Sequence, residues 1–301
     1  MRQNRRSFLL GLSIAALSSV RSAAAEKEKP LFRIGAIADS QYADADDAPP
    51  RLYRRALEKF RAAVADLNKR DLKFEAHLGD YIDRDWQNFA TLRPVADGLK
   101  HPWRFVLGNH DFNVADDKKL AVPAEFGLSA RYYSFEQDGW LFVVLDGNDN
   151  STYAWPAGSR ELAISQKLHD EKYPTAKPWN GGIGEAQLQW LDETLDDADA
   201  RGQKAMILCH FPIWPQNDPT ILLWNAGDVV ALLEKHPSVK IWLDGHDHNG
   251  NYAEKSGIHY LNLKGMLDTE QTAYAVIDFY PDRLEVQGFG REQDRTLMLR
   301  P

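Results

Sequence analysis

Oxygen and imidazole side chains gather at five short turns in this sequence, each after an apolar run that could form a buried strand. Asp39 and Gln41 follow residues 31–38, and Asp80 follows 74–78. Asn109 and His110 follow 103–107, His210 follows 205–208, and His246 and His248 follow 239–243. Carboxylate, amide and imidazole donors of this kind suit divalent cations, and no thiolate is needed. Two imidazoles at i and i+2 in extended backbone point to the same side, so His246 and His248 can each serve a metal. A carboxylate such as Asp80 has two oxygens and can bridge two cations. Cations roughly 3.5–4 Å apart clamp the attacking and leaving oxygens of an in-line displacement at phosphorus. Phosphate-ester hydrolysis needs this most, because the charge on the phosphate repels the nucleophile. Any one of these turns, Gly108-Asn109-His110-Asp111 included, could be ordinary; their repetition carries the reading.

The elements that must position these turns are legible in the spacing of apolar residues. Leu52, Ala56, Phe60, Val64 and Leu67 recur at helical intervals and predict a helix running to about Arg70. A second helix is expected over 86–99, so the first half alternates strand, helix, strand, helix, strand. In open α/β sheets, sites collect at the carboxyl ends of the strands. Residues 131–135 and 140–145 read as a hairpin around Glu136-Gln137-Asp138-Gly139. The stretch 147–182 is irregular and contains Pro156, Pro174 and Pro178. A connection this long is usually functional or disordered. Tyr153, Trp155, Tyr173 and Trp179 favour order, as a cap or lid or as a loop packed on its own aromatics. Helices follow at 185–200 and 225–234, with the strands at 205–208 and 239–243 each after one of them. The tail, with 258–263, 273–279 and 284–288, reads as further antiparallel strands.

The amino terminus reads as a processing segment. Asn4-Arg5-Arg6-Ser7-Phe8-Leu9-Leu10 is a twin-arginine pattern, followed by the charge-free stretch 7–20 and by Ala23-Ala24-Ala25. Fourteen charge-free residues are too few to span a bilayer, which takes roughly 20. A signal peptide at 1–25 is expected, with export by the twin-arginine translocase to the periplasm and no stable membrane anchor. Removing it takes away Arg2, Arg5, Arg6 and Arg21 and no acidic residue, moving the formal charge from −8 to −12. So acidic a surface argues against nucleic-acid binding, which needs basic patches. Residues 26–301 suit one large domain. Cys209 is the only cysteine, so no intrachain disulfide forms; it reads as a small buried residue rather than a nucleophile.

The order of the turns resembles the calcineurin-like metallophosphoesterases: D-x-H/Q, G-D-x-x-D, G-N-H-D/E, a lone His, then G-H-x-H. Here they stand as Asp39-Ser40-Gln41, Gly79–Asp83, Gly108–Asp111, His210 and Gly245–His248, over essentially all of 26–301. The resemblance implies an α/β fold of four layers, αββα, with 147–182 as a cap or lid insertion. It implies two divalent metal ions, with Asp39, Gln41 and His248 on one, Asn109, His210 and His246 on the other, and Asp80 bridging. His110 would be the catalytic residue facing the substrate, protonating the leaving oxygen or stabilising its charge. Asp83 would orient that imidazole, with Asp111 as its rival. Arg84 resembles the family's phosphate-binding arginine, although Asp85 replaces the usual glycine and a plain surface charge is the alternative.

Gln41 departs from most of the family, which has His there. An amide oxygen is a harder ligand and favours Mn²⁺ or Mg²⁺ over Zn²⁺; Fe²⁺ is a further candidate. The D-x-Q turn is similar to that of the manganese-dependent ADP-ribose/CDP-alcohol diphosphatases. The likeness extends through Ala38–Asp44, Trp179-Asn180-Gly181-Gly182-Ile183 with Gln187 to Leu191, and His210-Phe211-Pro212-Ile213. It implies hydrolysis of phosphoanhydride bonds in small nucleotide-like substrates. The alternatives are a broad periplasmic phosphomonoesterase or phosphodiesterase that scavenges phosphate, and a non-catalytic metal-binding protein on the same scaffold. Trp179 or Trp214 could stack a base or simply pack the core. His77, His101, His169, His236 and His259 match no motif and are expected to be structural or superficial.

Overall fold

Three parallel strands begin the chain in the computed structural model, which describes residues 28–214 and 218–300. The expected twin-arginine segment at 1–25 lies outside the described residues. β1 (Phe32–Ile37), β2 (Glu75–His77) and β3 (Trp103–Phe105) pair side by side, joined by α1 (Ala56–Leu67) and α2 (Gln87–Ala96). α1 forms because Ala56, Phe60, Ala63, Val64 and Leu67 share one face, and all five are buried. It stops three residues short of the expected Arg70, with Asn68 at its cap. Lys59 of α1 places its ammonium on the carbonyls of Leu267 (2.8 Å) and Thr269 (2.9 Å), tying the helix to the loop that carries Asp268.

Short helical turns at His110–Phe112 and Asp116–Ala121 and α3 (Val122–Glu125) lead to the expected hairpin, β4 (Tyr133–Gln137) and β5 (Trp140–Val144). Asp138 and Gly139 at its tip both take positive φ, 47° and 83°, as a two-residue loop matched to strand twist requires. Inside 147–182 the structure places a helix where the sequence reading expected only irregular chain. α4 (Arg160–Lys172) is capped by Ser159, whose Oγ accepts the Leu162 N–H at 3.1 Å. Only Ser165 of α4 is buried, so it carried no strong apolar stripe to read. The two ends of the stretch belong to the body: Ser151 and Ala154 are fully buried, and Asn150 and Gly182 exchange backbone hydrogen bonds of 2.9 and 2.8 Å.

α5 (Glu185–Ala200), β6 (Lys204–Leu208), α6 (Ala226–Leu233) and β7 (Val239–Asp244) follow as expected. β8 (Asn251–Lys255) was missed because its side chains are largely exposed and carry no apolar alternation. It pairs antiparallel with β9 (Ile258–Asn262), but β9 runs parallel to β7, correcting the expectation of a purely antiparallel tail. β10 (Ala273–Phe279), β11 (Arg283–Gly290) and β12 (Arg295–Met298) close the chain antiparallel, β12 being a short edge strand that the sequence reading passed over.

Two six-stranded sheets result, in the orders β12-β11-β10-β1-β2-β3 and β4-β5-β6-β7-β9-β8. Because strand side chains alternate, each sheet has two apolar faces to cover. Ile34, Ala36, Phe142, Leu208, Leu243 and Ile277 meet between the sheets. Ile37 and Val276 pack outward with Phe60, Leu67, Phe89 and Leu92 of α1 and α2. Val143, Ile207 and Trp242 pack outward with Leu191 and Leu195 of α5 and Val229 and Leu233 of α6. The layers are αββα, as the resemblance implied.

Candidate metal centre

The loops after β1, β2, β3, β6 and β7 meet at one edge of the two sheets. They are held together by backbone bonds from Asp39 N–H to Gly79 O (3.2 Å), Gln41 N–H to Asp80 O (2.7 Å) and Gly245 N–H to His210 O (3.0 Å). Four of the eight non-glycine residues with positive φ among the described residues are Asp39, Gln41, Asp80 and His246. That conformation costs about 1–2 kcal/mol per residue, and strain so clustered marks a site the rest of the fold holds in place. Gly108 is required here, since a Cβ on it would overlap the backbone N and Oδ1 of Asp80.

His210 Nδ1–H donates to Leu78 O at 2.8 Å, which aims Nε2 into the site. Nε2 lies 3.1 Å from Asn109 Oδ1, 3.1 Å from His246 Nδ1 and 3.4 Å from an oxygen of Asp80. His246 Nε2–H is in turn spent on Asn180 Oδ1 at 2.9 Å. Two imidazole lone pairs, an amide oxygen and a carboxylate thus face one point, and they repel unless a cation or proton sits among them. Burial disfavours a charge on His210, but the adjacent Asp80 outweighs it and raises that imidazole to about 9. Burial and the neighbouring His210 push His246 well below its usual value.

Asp39 and His248 form a second group beside the first. Both oxygens of Asp39 accept the His246 N–H at 3.2 Å, and His248 Nε2 lies 3.6 Å from Asp39 Oδ1. Against burial, Asp268 and Asp39 raise His248 to about 10, the Asp268 carboxylate accepting its Nδ1–H at 2.9 Å. Gln41 is fully buried; its Nε2 donates to Asp83 at 3.2 Å, and its Oε1 has no partner. An acceptor left bare in a protein interior costs about 1–3 kcal/mol. Lone pairs crowded without a cation, and an orphaned amide oxygen in the same cluster of turns, are what a divalent-metal site looks like from its protein side.

His110 stands on the helical turn after Asn109, its backbone N–H on Asp80 Oδ1 at 2.8 Å and its ring at the cavity wall. Its Nδ1 lies 2.9 Å from Asp83 Oδ1, though off the line of a well-formed hydrogen bond. Burial opposes its charge; Asp80 and Asp83 prevail, and the imidazole is raised. Asp83 also accepts Asn113 Nδ2–H at 2.9 Å. Asp111 instead takes the backbone amides of Tyr81 (2.8 Å), Ile82 (3.2 Å) and Gly108 (2.8 Å), stitching two of the turns together.

A cavity of about 660 Å³ opens over these groups, lined by Asp80, Asn109, His110, His246 and His248 together with Arg51, Tyr153 and Trp179. Arg84 is not among its lining residues; its guanidinium lies 4.5 Å over the Tyr53 ring. Arg51 is the guanidinium in the wall, and no sequence signal singled it out. Trp214 stacks on Tyr260, 4.9 Å away, and does not line the cavity. Asn180 and Asp268, which orient His246 and His248, were likewise not assigned a role; Asn180 lay within the noted Trp179–Ile183 stretch, whereas nothing marked Asp268. Of the unassigned histidines, His77 meets Ser40 Oγ at 2.9 Å, and His236 lies between Asp199 (2.8 Å) and Asp192 (2.9 Å).

Comparison with known proteins agrees with this geometry. The family model for calcineurin-like phosphoesterases matches residues 32–250. The manganese-dependent ADP-ribose/CDP-alcohol diphosphatase of Arabidopsis thaliana is 33% identical over 301 residues, covering 88% of this chain and 96% of its own. Its counterpart in Oryza sativa subsp. japonica is 31% identical, covering 92% and 97%. Among solved structures, a dimetal phosphatase from Danio rerio superimposes with a TM-score of 0.81 at 28% identity, covering 90% of this chain and all of its own. This chain belongs to the calcineurin-like phosphoesterase family.

Proposed function

We propose that this protein is a manganese-dependent, dinuclear hydrolase of the phosphoanhydride bond in nucleoside diphosphate conjugates such as ADP-ribose or CDP-alcohols. The observation that carries the reading is Gln41: a neutral oxygen donor, buried and without a partner, where most of the family has an imidazole. Asp39, Gln41 and His248 would hold one metal and Asn109, His210 and His246 the other, with Asp80 between them. When bound, the two cations activate water and draw charge from the oxygens at the reacting phosphorus.

The chain's own residues do the rest. Leu78 O, Asn180 and Asp268 hold the three imidazoles with the correct nitrogen inward, as the outer hydrogen bonds of metal-bound histidines do. His110 stands at the cavity wall with its Nδ1 2.9 Å from Asp83 Oδ1; from there it delivers a proton to the leaving phosphate oxygen as the anhydride breaks. Arg51 offsets the charge of the second phosphate. The cavity of about 660 Å³ lies in the range of sites that enclose small ligands, roughly 300–1,000 Å³. Trp179, half exposed at the rim, offers a face to a base. The twin-arginine pattern supports periplasmic export.

Export also favours a second reading, since nucleotide conjugates are scarce outside the cytoplasm: a broad phosphomonoesterase or phosphodiesterase that recovers phosphate. A panel of ADP-ribose, CDP-choline and nitrophenyl mono- and diesters, assayed with Mn²⁺, Mg²⁺ and Zn²⁺, separates the two. Activity confined to the conjugates and strongest with Mn²⁺ supports the first. Cleavage of the nitrophenyl esters alone removes it.

A further inference from the structure

We infer that Asp83 acts as a positioning residue for Gln41, deciding which end of its amide faces the metal site; this rests on the metal-binding reading above. The two ends of a glutamine amide have nearly the same shape and opposite chemistry, an acceptor oxygen and an NH₂ that only donates. The NH₂ cannot ligate a cation, so a D-x-Q turn is a ligand only when something holds the amide one way round. Histidine at the same position carries no such ambiguity.

Asp83 supplies that hold. An ionised carboxylate only accepts, and this one accepts from Gln41 Nε2 at 3.2 Å on one oxygen and from Asn113 Nδ2 at 2.9 Å on the other, with His110 Nδ1 2.9 Å from that second oxygen. Turning the Gln41 amide over would set its oxygen against the Asp83 oxygen, two acceptors in contact. Gln41 is fully buried and Asp83 is 2% exposed, so bulk water does not relieve that repulsion. The main chain at Gln41 is fixed by its N–H on Asp80 O at 2.7 Å, which leaves amide rotation as the open choice. One carboxylate therefore orients both a metal ligand and the imidazole assigned to the leaving oxygen.

The test uses Mn²⁺ alone as the probe, on the full chain, read by calorimetric titration and by electron paramagnetic resonance. Two neighbouring Mn²⁺ ions give a broadened, spin-coupled spectrum, and an isolated ion gives six lines. In Asp83→Asn the new NH₂ attracts the Gln41 oxygen and turns the amide over. One of the two Mn²⁺ ions is then bound at least tenfold more weakly, the six-line signal appears, and circular dichroism stays native. The exchanged pair Gln41→Glu with Asp83→Asn restores donor to acceptor and recovers the second ion. His110→Ala, which removes the imidazole beside Asp83 and leaves Gln41 and Asn113 on it, keeps both ions. If Asp83→Asn binds two Mn²⁺ as tightly as the parent, or the exchanged pair binds no better than Asp83→Asn alone, Asp83 does not set the amide. A parent that never binds two Mn²⁺ overturns the metal reading itself, and this inference with it.

Discussion

Glu75→Gln is expected to remove a pH dependence from the stability of this protein. Glu75 sits on β2, three residues before Leu78 and four before the Gly79-Asp80 turn, fully buried, with no partner for either carboxylate oxygen. Its carboxyl fills the space left by the missing side chain of Gly35 on β1. Burial alone pushes its pKa well above the ordinary 4.5, so the folded protein carries a proton there that the unfolded chain has lost. A raised folded pKa confers stability that is complete below pH ~4.5 and declines as pH rises toward the folded value. The decline is about 1.4 kcal/mol for each pH unit above the ordinary value over which the folded carboxyl stays protonated, and it is read between pH ~5.5 and ~7.5. Glutamine keeps the shape and does not titrate. Urea unfolding of metal-free parent and variant across that range should show the variant gaining on the parent by that slope, with equal m-values. A difference that stays constant with pH would refute the assignment of Glu75 as a neutral, unpaired core carboxyl.

Three further outcomes follow from the site. His110→Ala should keep both metals and lower kcat by roughly 10²–10⁴-fold on ADP-ribose, the usual contribution of a positioned proton donor; a kcat within threefold of the parent contradicts its role. Gly108→Ala, whose Cβ would overlap Asp80, should lose about 1–3 kcal/mol of stability by overpacking and weaken Mn²⁺ binding, both read by thermal melts with and without Mn²⁺. Arg51→Met should raise KM for nucleoside diphosphate conjugates by roughly 10–100-fold, from loss of charge-assisted bonds worth about 1.5–3 kcal/mol, while metal content stays unchanged.

What was legible in the sequence follows from how local the signals are. Asp39, Gln41, Asp80, Asn109, His210, His246 and His248 each follow an apolar run, so the strand that carries each one announces it. α1 and α5 declared themselves by a buried face. α4 did not, because it buries only Ser165 and helices that cover little leave no stripe. β8 and β12 are edge strands with exposed side chains, where propensity is weak and pairing decides. The direction of β9 depends on which strand it meets, β7 or β10, and no residue within it records that. Asp268 and Asn180 reach their histidines across 20 and 66 residues of sequence, so only the folded chain shows the pairs. Arg84 lay beside a motif and turned to Tyr53; Arg51 lay outside every motif and lines the cavity. The sequence favoured Asp83 over Asp111 for the place beside His110, but only the fold shows what each carboxylate meets. Three backbone amides occupy Asp111, and Asp83 is the carboxylate beside His110.

The central claim is that the five turns build one site for two cations. Crystals of the protein grown with Mn²⁺ and measured at the manganese absorption edge test it most directly. The expected map has two anomalous peaks roughly 3.5–4 Å apart. One touches Asp39, Gln41 and His248, the other Asn109, His210 and His246, and Asp80 touches both. A single peak, or a pair that leaves Gln41 Oε1 or His210 Nε2 without a metal, would contradict it.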